Sequence, residues 1–226
     1  MGITEFKFID RGMSTLAVLI PGWGTDSRIF ERVDIGYNYL VPLTMSLDDV
    51  FVKLEKILEG EPAVIFGWSL GAFIGANFMA LHPHLVKKLV MVGVMPVYPE
   101  ESIEKMKKYL SRNKRAYMCE FFKKCANEMP VGFVIEHEKQ LFSEYAAYGD
   151  KDELVSQLDY LKNGSFPEAK LRKYQDKLVF IFGERDGIVP SVMSERAREM
   201  FPNSLVLVSK GFGHMCFLDP GIKQVI

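Results

Sequence analysis

The sequence predicts an α/β fold: a mostly parallel, twisted sheet with helices on both faces and a helical lid inserted into it. Three observations carry this. Short continuous apolar runs at 16–20, 63–66 and 178–182 read as strands buried on both faces, as the central strands of a parallel sheet are. Helical segments separate the early strands, which is the alternation that winds a parallel sheet. From Glu100 to about Lys170 no strand bounded by turn signals occurs, and that stretch reads as helices alone. The division that follows is a core of residues 1–95 and 171–226 and a lid of residues 96–170.

The elements follow in order. Residues 3–10 alternate weakly, Phe6 and Phe8 against Glu5 and Lys7, and predict an edge strand closed by Asp10-Arg11-Gly12. The run 16–20 is a central strand. It ends in Pro21-Gly22-Trp23-Gly24-Thr25-Asp26, a loop at a strand's carboxyl end, where open α/β sheets bind ligands. Residues 29–33 read as helical and 39–43 as a short strand. Ser46-Leu47-Asp48-Asp49 reads as the cap of a helix to Leu58 whose apolar face is Val50, Leu54, Ile57 and Leu58. Gly60-Glu61-Pro62 ends it. A strand follows, then Gly67-Trp68-Ser69-Leu70-Gly71, then a helix from Ala72 to Leu81 closed at His82-Pro83. Residues 86–94 are the next strand, after which Pro96 and Pro99 break the chain. Helices are expected at 102–113, 114–127, 134–147 and 152–162, separated by Pro130, Gly132, Gly149-Asp150 and Asn163-Gly164. Strand character returns at 177–183 and 204–208, with a helix at 191–200 between them. Beyond Pro220 only residues 221–226 remain, without a long final helix.

Composition narrows the function. With 226 residues, 48% of them hydrophobic, the chain can bury a sizeable core. A net charge of −1 argues against a dedicated nucleic-acid binder, which needs a basic excess. Three cysteines, Cys119, Cys125 and Cys216, match no zinc spacing, so no metal is expected. So sparse and odd a count suits a reducing cytoplasm. No apolar run approaches the roughly 18 residues of a membrane span. The charged N-terminus lacks the apolar region of a signal peptide. Met1-Gly2 precedes Phe6 where N-myristoylation needs Ser or Thr. A monomer is expected.

The chemistry centres on Ser69. Residues 67–71 match G-x-S-x-G between a strand and a helix, the setting that lifts a serine hydroxyl clear of the sheet. The helix N-terminus beneath it aims the Leu70 amide at a developing oxyanion. A serine hydroxyl needs a base, and the base needs an orienting acid. In this arrangement the chain order is Ser, then Asp or Glu, then His. Asp186 follows the 178–182 strand and His214 follows the 204–208 strand, so parallel strands bring both loops to Ser69's edge of the sheet. Glu184 is a rival acid, and Asp186-Gly187 is also an ordinary turn pair. Of the other histidines, His82 and His84 sit at a helix C-terminus and His137 lies among charges. The Trp23 amide is the natural second oxyanion donor, and its indole reads as a wall of the acyl pocket or as core packing. Lys105, Lys107, Lys108, Arg112, Lys114, Arg115, Lys123 and Lys124 make the lid basic. That suits an acidic carrier or a substrate with a distal carboxylate, and equally a solvated helix face. Phe121 and Cys125, one turn apart, belong to an apolar face that covers either an acyl chain or the core.

With these residues in place the chain resembles the α/β-hydrolases over nearly its whole length. Within them it is most similar to the pimeloyl-[acyl-carrier-protein] methyl ester esterases of biotin synthesis. The matching pieces are Pro21-Gly22-Trp23-Gly24, Gly67-Trp68-Ser69-Leu70-Gly71 and residues 183–190, with Glu120-Phe121-Phe122 and residues 158–162 alike in character. The resemblance implies cofactor-free cytoplasmic cleavage of a methyl ester at the end of an acyl chain tethered to a carrier protein. It makes the Trp23 and Leu70 amides the oxyanion donors, puts Phe121 and Cys125 on the acyl channel, and offers Arg112 and Arg115 to the carrier. The sequence departs from that family at Pro21, where His is usual, and at Cys125, where a polar amide is common. A general short-chain carboxylesterase, a thioesterase, acyl transfer to another alcohol or an amine, and a non-catalytic ligand cup are the alternative readings.

Overall fold

The computed structural model describes residues 3–226; Met1 and Gly2, and with them the start of the acylation pattern, lie outside the described residues. Seven strands form one sheet in the order β1-β3-β2-β4-β5-β6-β7. They are β1 (Glu5–Ile9), β2 (Leu16–Ile20), β3 (Asn38–Thr44), β4 (Ala63–Trp68), β5 (Val86–Val92), β6 (Leu178–Gly183) and β7 (Leu205–Ser209). Only β1, at the edge, runs antiparallel. β4 and β6 are buried along their whole length, as strands covered on both faces must be.

The helices are α1 (Val50–Leu58), α2 (Leu70–Leu81), α3 (Glu100–Ala126), α4 (Glu136–Tyr148), α5 (Lys151–Asn163), α6 (Glu168–Leu171) and α7 (Val192–Met200). α2 is apolar almost all round, because it packs on β2, β4 and β5 while α5 and α6 cover it from outside. α3, α4 and α5 stand together between β5 and β6. α3 breaks at Asn113, whose backbone is extended (φ −158°, ψ 91°), at the boundary the sequence predicts between two helices. The Asn113 side chain accepts from the Ala116 amide at 3.0 Å, so it caps the second half.

Some expectations need correction. The helix expected at 29–33 is a single 3-10 turn, Ser27–Phe30. α1 starts at Val50 directly behind Ser46–Asp49, as expected, but the Asp49 side chain makes no capping bond. The Asp49 carboxylate instead takes the Thr4 amide and hydroxyl, tying the N-terminal strand down. Ile57 is not on the buried face of α1 but 44% exposed. α6 and the 3-10 turn Arg172–Lys177 after it carry no signal strong enough to be foreseen. After β7 come two 3-10 turns, Cys216–Leu218 and Pro220–Gln224, and Phe217 packs on Trp68 at 4.8 Å.

Parallel strands in close register put their carboxyl ends on one edge. Trp68 pairs with Val92, and Val92 with Ile181. The chain leaving β4 stays hooked to β5, since the Ser69 amide donates to the Val92 carbonyl at 2.8 Å. The Gly93 amide likewise donates to Ile181 at 2.9 Å. The loops after β2, β4, β5, β6 and β7 therefore gather at that edge.

Candidate active site

Ser69 occupies the turn between β4 and α2 with φ 54° and ψ −114°. Glu128 is the only other non-glycine residue at positive φ among the described residues. Such a conformation costs about 1–3 kcal/mol and persists only where the surroundings enforce it. They do so here by close backbone approach. A Cβ on Gly67 would lie 2.4 Å from the Gly71 carbonyl, and one on Gly71 would lie 2.0 Å from the Ile20 carbonyl oxygen. The two motif glycines thus let the turn close on itself and let the loop after β2 lie against the start of α2. Neither the Leu70 nor the Trp23 amide donates to a protein acceptor among the described residues.

His214 and Asp186 form a buried pair. The His214 ring is 1% exposed, and its Nδ1 lies 2.8 Å from Asp186 Oδ2. The other carboxylate oxygen, Oδ1, accepts from the Ile188 and Val189 amides at 2.8 and 2.9 Å. Both Asp186 oxygens are therefore engaged, and the carboxylate is fixed by its own loop. A carboxylate only accepts, so the shared proton sits on Nδ1 and leaves the lone pair on Nε2. That Nε2 is buried and has no hydrogen-bond partner. Glu184, the rival acid, accepts from the Gly211 amide at 2.9 Å instead. His82 pairs with Glu55 and His137 with Glu31, away from this cluster.

Gly93 and Trp68 hold the pair at the strand ends beside which Ser69 lies. Gly93 sits at φ 58°, and a Cβ there would come within 3.0 Å of the His214 ring and 3.6 Å of Asp186 Oδ2. The missing side chain is the space the imidazole occupies. Trp68, next to Ser69, donates from Nε1 to the His214 carbonyl at 2.9 Å and holds its ring 5.4 Å from the imidazole. Gly183 allows a further close approach, because a Cβ there would meet the Gly213 carbonyl oxygen at 2.0 Å.

Trp23 is both packed and placed at the site. It is 4% exposed, donates from Nε1 to the Leu154 carbonyl of α5 at 2.9 Å, and meets Phe121 of α3 edge-on at 4.8 Å. The loop after β2 makes further ties to the helical block. The Gly24 amide donates to Gln157 at 3.3 Å, and the Tyr145 hydroxyl to Asp26 at 2.9 Å. Arg28 bridges Asp26 and Glu144, each at 2.8 Å. Burial would raise the Asp26 carboxyl, but the hydrogen bonds from Arg28 outweigh it and leave the pKa below the usual range. A cleft of about 830 Å³ runs along this seam past Pro21, Gly24, Asp26 and Leu154; Ser69, Asp186 and His214 do not line it.

The remaining expected residues divide. Phe121 is half-buried beside Trp23, whereas Cys125 is wholly buried. Burial, aided by the charge of Asp186, pushes the Cys125 thiol well up, so it is an inert neighbour of the acid. Arg112 and Arg115 lie exposed on either side of the α3 break, without ion-pair partners among the described residues. No group of three or more His, Cys, Asp or Glu side chains is placed to hold a metal ion among the described residues. No helix among them is long and apolar enough to cross a membrane. Sequence reasoning passed over Tyr98 and Gly93. The available signals were an aromatic residue between Pro96 and Pro99, in a segment read only as a break, and a glycine read as part of the 86–94 strand.

Comparison with known proteins agrees with this architecture. A family model described as alpha/beta hydrolase fold matches residues 21–127. The pimeloyl-[acyl-carrier protein] methyl ester esterase of Aliivibrio fischeri (strain MJ11) is 23% identical over 243 residues, covering 96% of this chain and 93% of that protein. A bifunctional biotin-biosynthesis protein of Cellvibrio japonicus is 33% identical over 91 residues, which span 34% of this chain and 18% of that protein. A solved structure from work on carboxylesterases of Nitrososphaera gargenis superposes with a TM-score of 0.74 at 17% identity, covering 98% of this chain and 91% of that one.

Proposed function

We propose that this chain, an α/β-hydrolase by fold, cleaves a carboxylic ester with Ser69 as nucleophile, His214 as base and Asp186 as the acid that orients it. One observation carries the reading. An imidazole locked by a buried carboxylate 2.8 Å away keeps an unpartnered Nε2, and its backbone carbonyl is held by Trp68, the residue before a serine at φ 54° on a helix N-terminus. An unsatisfied buried nitrogen costs about 1–3 kcal/mol, and a base awaiting a proton is a reason to keep one.

The reaction runs in two steps. His214 takes the Ser69 proton as the oxygen attacks the ester carbonyl, and Asp186 stabilises the resulting imidazolium. The Leu70 and Trp23 amides hold the oxyanion; each such donor is worth about 10²–10³-fold in rate. His214 then protonates the departing alcohol. Water repeats the sequence on the acyl-enzyme and releases the acid.

The substrate reading is the methyl ester of a pimeloyl chain on acyl-carrier protein, as the name of the Aliivibrio fischeri relative states for that protein. Two features support a carrier-bound acyl group. Phe121 and Trp23 meet edge-on over the loop after β2 and offer an apolar wall. Lys105, Lys108 and Arg112 follow one another at helical spacing on the exposed side of α3, and Arg115 comes just after its break. None of the four has an acidic partner among the described residues, whereas Lys107 and Lys123 do. Unpaired cations on one helix suit an acidic carrier.

Hydrolysis of a dicarboxylate monomethyl ester on acyl-carrier protein, compared with the same ester on a small thiol and with p-nitrophenyl butyrate, tests the reading. A strong preference for the carrier-bound ester, lost in Ser69→Ala, is the expected result. Hydrolysis of the small esters alone leaves a general carboxylesterase, and preferential attack at the thioester bond leaves a thioesterase.

A further inference from the structure

Tyr98 has no part in the scheme above. It lies between Pro96 and Pro99 in the loop after β5, with Phe73 of α2 against its ring at 6.0 Å. Its hydroxyl oxygen is buried and makes no hydrogen bond of acceptable geometry among the described residues. Phe73 lies one turn of α2 beyond Ser69, so this contact puts the phenol beside the start of that helix, and hydrogen bonding from the Met95 backbone and the Ser69 side chain lowers its pKa against the larger effect of burial. Native proteins leave few buried polar atoms unpaired, and each needs a reason. Two other side-chain atoms share this state: His214 Nε2, and His137 Nε2 with the Glu31 carboxylate 3.2 Å away. Two of the three orphans therefore belong to loops gathered at the edge of the sheet where Ser69 lies.

The sheet order says which side of the serine the phenol serves. Ser69 follows β4; β2 and its loop, with the Trp23 amide, flank it on one side, and β5, whose following loop carries Tyr98, flanks it on the other. The oxyanion of a tetrahedral intermediate points to the β2 side. A donor from the β5 side meets the other substituents of that carbon, next to the His214 ring over Gly93. Of those substituents the acyl carbon gains no charge in the reaction. The departing oxygen does.

We propose that the Tyr98 hydroxyl donates a hydrogen bond to the leaving-group oxygen as the ester breaks, acting beside His214. The inference rests on the reading of Ser69 as nucleophile. The bond between the acyl carbon and the leaving oxygen breaks with its electron pair going to oxygen. The imidazolium of His214 delivers the proton. Tyr98 keeps its own proton and supplies only the hydrogen bond. Burial pushes the phenol up to about 12, so it is protonated and able to donate across the neutral range. In deacylation the attacking water takes the place of the departed alcohol, and the same donor orients it.

The test is Tyr98→Phe on two esters with one acyl group, methyl butyrate and p-nitrophenyl butyrate, read as kcat/KM. Methoxide is strongly basic and needs help as it leaves; p-nitrophenolate is stable as the anion and does not. The expected loss is about 10- to 100-fold on the methyl ester, the range for one hydrogen bond to a developing charge. On the nitrophenyl ester the loss stays under about threefold, since an interaction absent from that transition state changes little. The ratio of the two rates on one preparation is unaffected by a misfolded fraction. Equal losses on both esters would reduce Tyr98 to packing and overturn the proposal, as would an unchanged methyl-ester rate. Ser69→Ala runs alongside. Activity surviving in that variant removes the reading of the site and the proposal with it, whereas activity lost there isolates the Tyr98 result.

Discussion

Replacing Gly71 with alanine tests whether the approach of the β2 loop to the start of α2 sets the oxyanion geometry. The added Cβ would lie 2.0 Å from the Ile20 carbonyl oxygen, 2.6 Å from its carbon and 2.7 Å from the Pro21 carbonyl oxygen. All three are backbone atoms, so no rotamer change relieves the clash. Ordinary contact begins at 3.4 Å, and the two segments must separate by about 1.4 Å to reach it. That gap opens between the two proposed donors, with the Leu70 amide on one side and the Trp23 amide on the other. A misplacement of about 1 Å costs about 10²-fold in rate, or ~2.7 kcal/mol of barrier. Overpacking also lowers stability by about 1–3 kcal/mol. The assay is kcat/KM on p-nitrophenyl butyrate with the fold checked by circular dichroism. Gly187→Ala is the control: it lies in the Asp186 loop with nothing within 4 Å of its Cβ and no positive φ, and should stay within about threefold of wild type. A folded Gly71→Ala protein with wild-type kcat/KM would refute the reasoning.

Three further outcomes are expected. Gly93→Ala puts a Cβ at φ 58° and 3.0 Å from the His214 ring, so urea unfolding should show a loss of about 1–2 kcal/mol and the esterase rate should fall with it. In the native protein a thiol reagent such as DTNB should titrate Cys119 alone, because Cys125 and Cys216 are buried with thiols pushed well up; all three should react in denaturant. Burial holds Tyr98, Tyr117 and Tyr160 up at about 12, against about 10 in the unfolded chain. Between those values the unfolded state has released protons that the folded state still binds, so stability is fully present below pH 10 and declines as pH rises toward 12. The urea midpoint should be level to about pH 9 and then fall, less steeply in Tyr98→Phe.

The core of the fold was legible because its signals are local and strong. Leu16–Ile20 and Leu178–Gly183 are apolar without interruption and have turn residues just beyond, which leaves a central strand as the economical reading. The break at Asn113 was legible too, in that one helix was expected to end at 113 and the next to begin at 114. What failed depended on partners far along the chain. Asp49 reads as a cap from its neighbours alone; Thr4, 45 residues away, takes its carboxylate. Ile57 fits a helical apolar face by spacing, but α1 buries a narrower stripe. At the site, the order Ser69, Asp186, His214 was readable from motif and strand ends. The part proposed for Tyr98 was not, because it depends on a neighbour across the sheet, from the loop after β5 to the turn after β4. Trp23 shows a third case: its two readings, wall and packing, were offered as alternatives, and a ring that is buried yet meets Phe121 edge-on is compatible with both.

The most direct test of the central claim is labelling with a serine-directed fluorophosphonate followed by peptide mapping. The account predicts one adduct per chain, on the peptide carrying Ser69. It also predicts no adduct in Ser69→Ala and labelling slowed by orders of magnitude in His214→Ala, since the hydroxyl then lacks its base. An adduct on another residue, or undiminished labelling in Ser69→Ala, would contradict it.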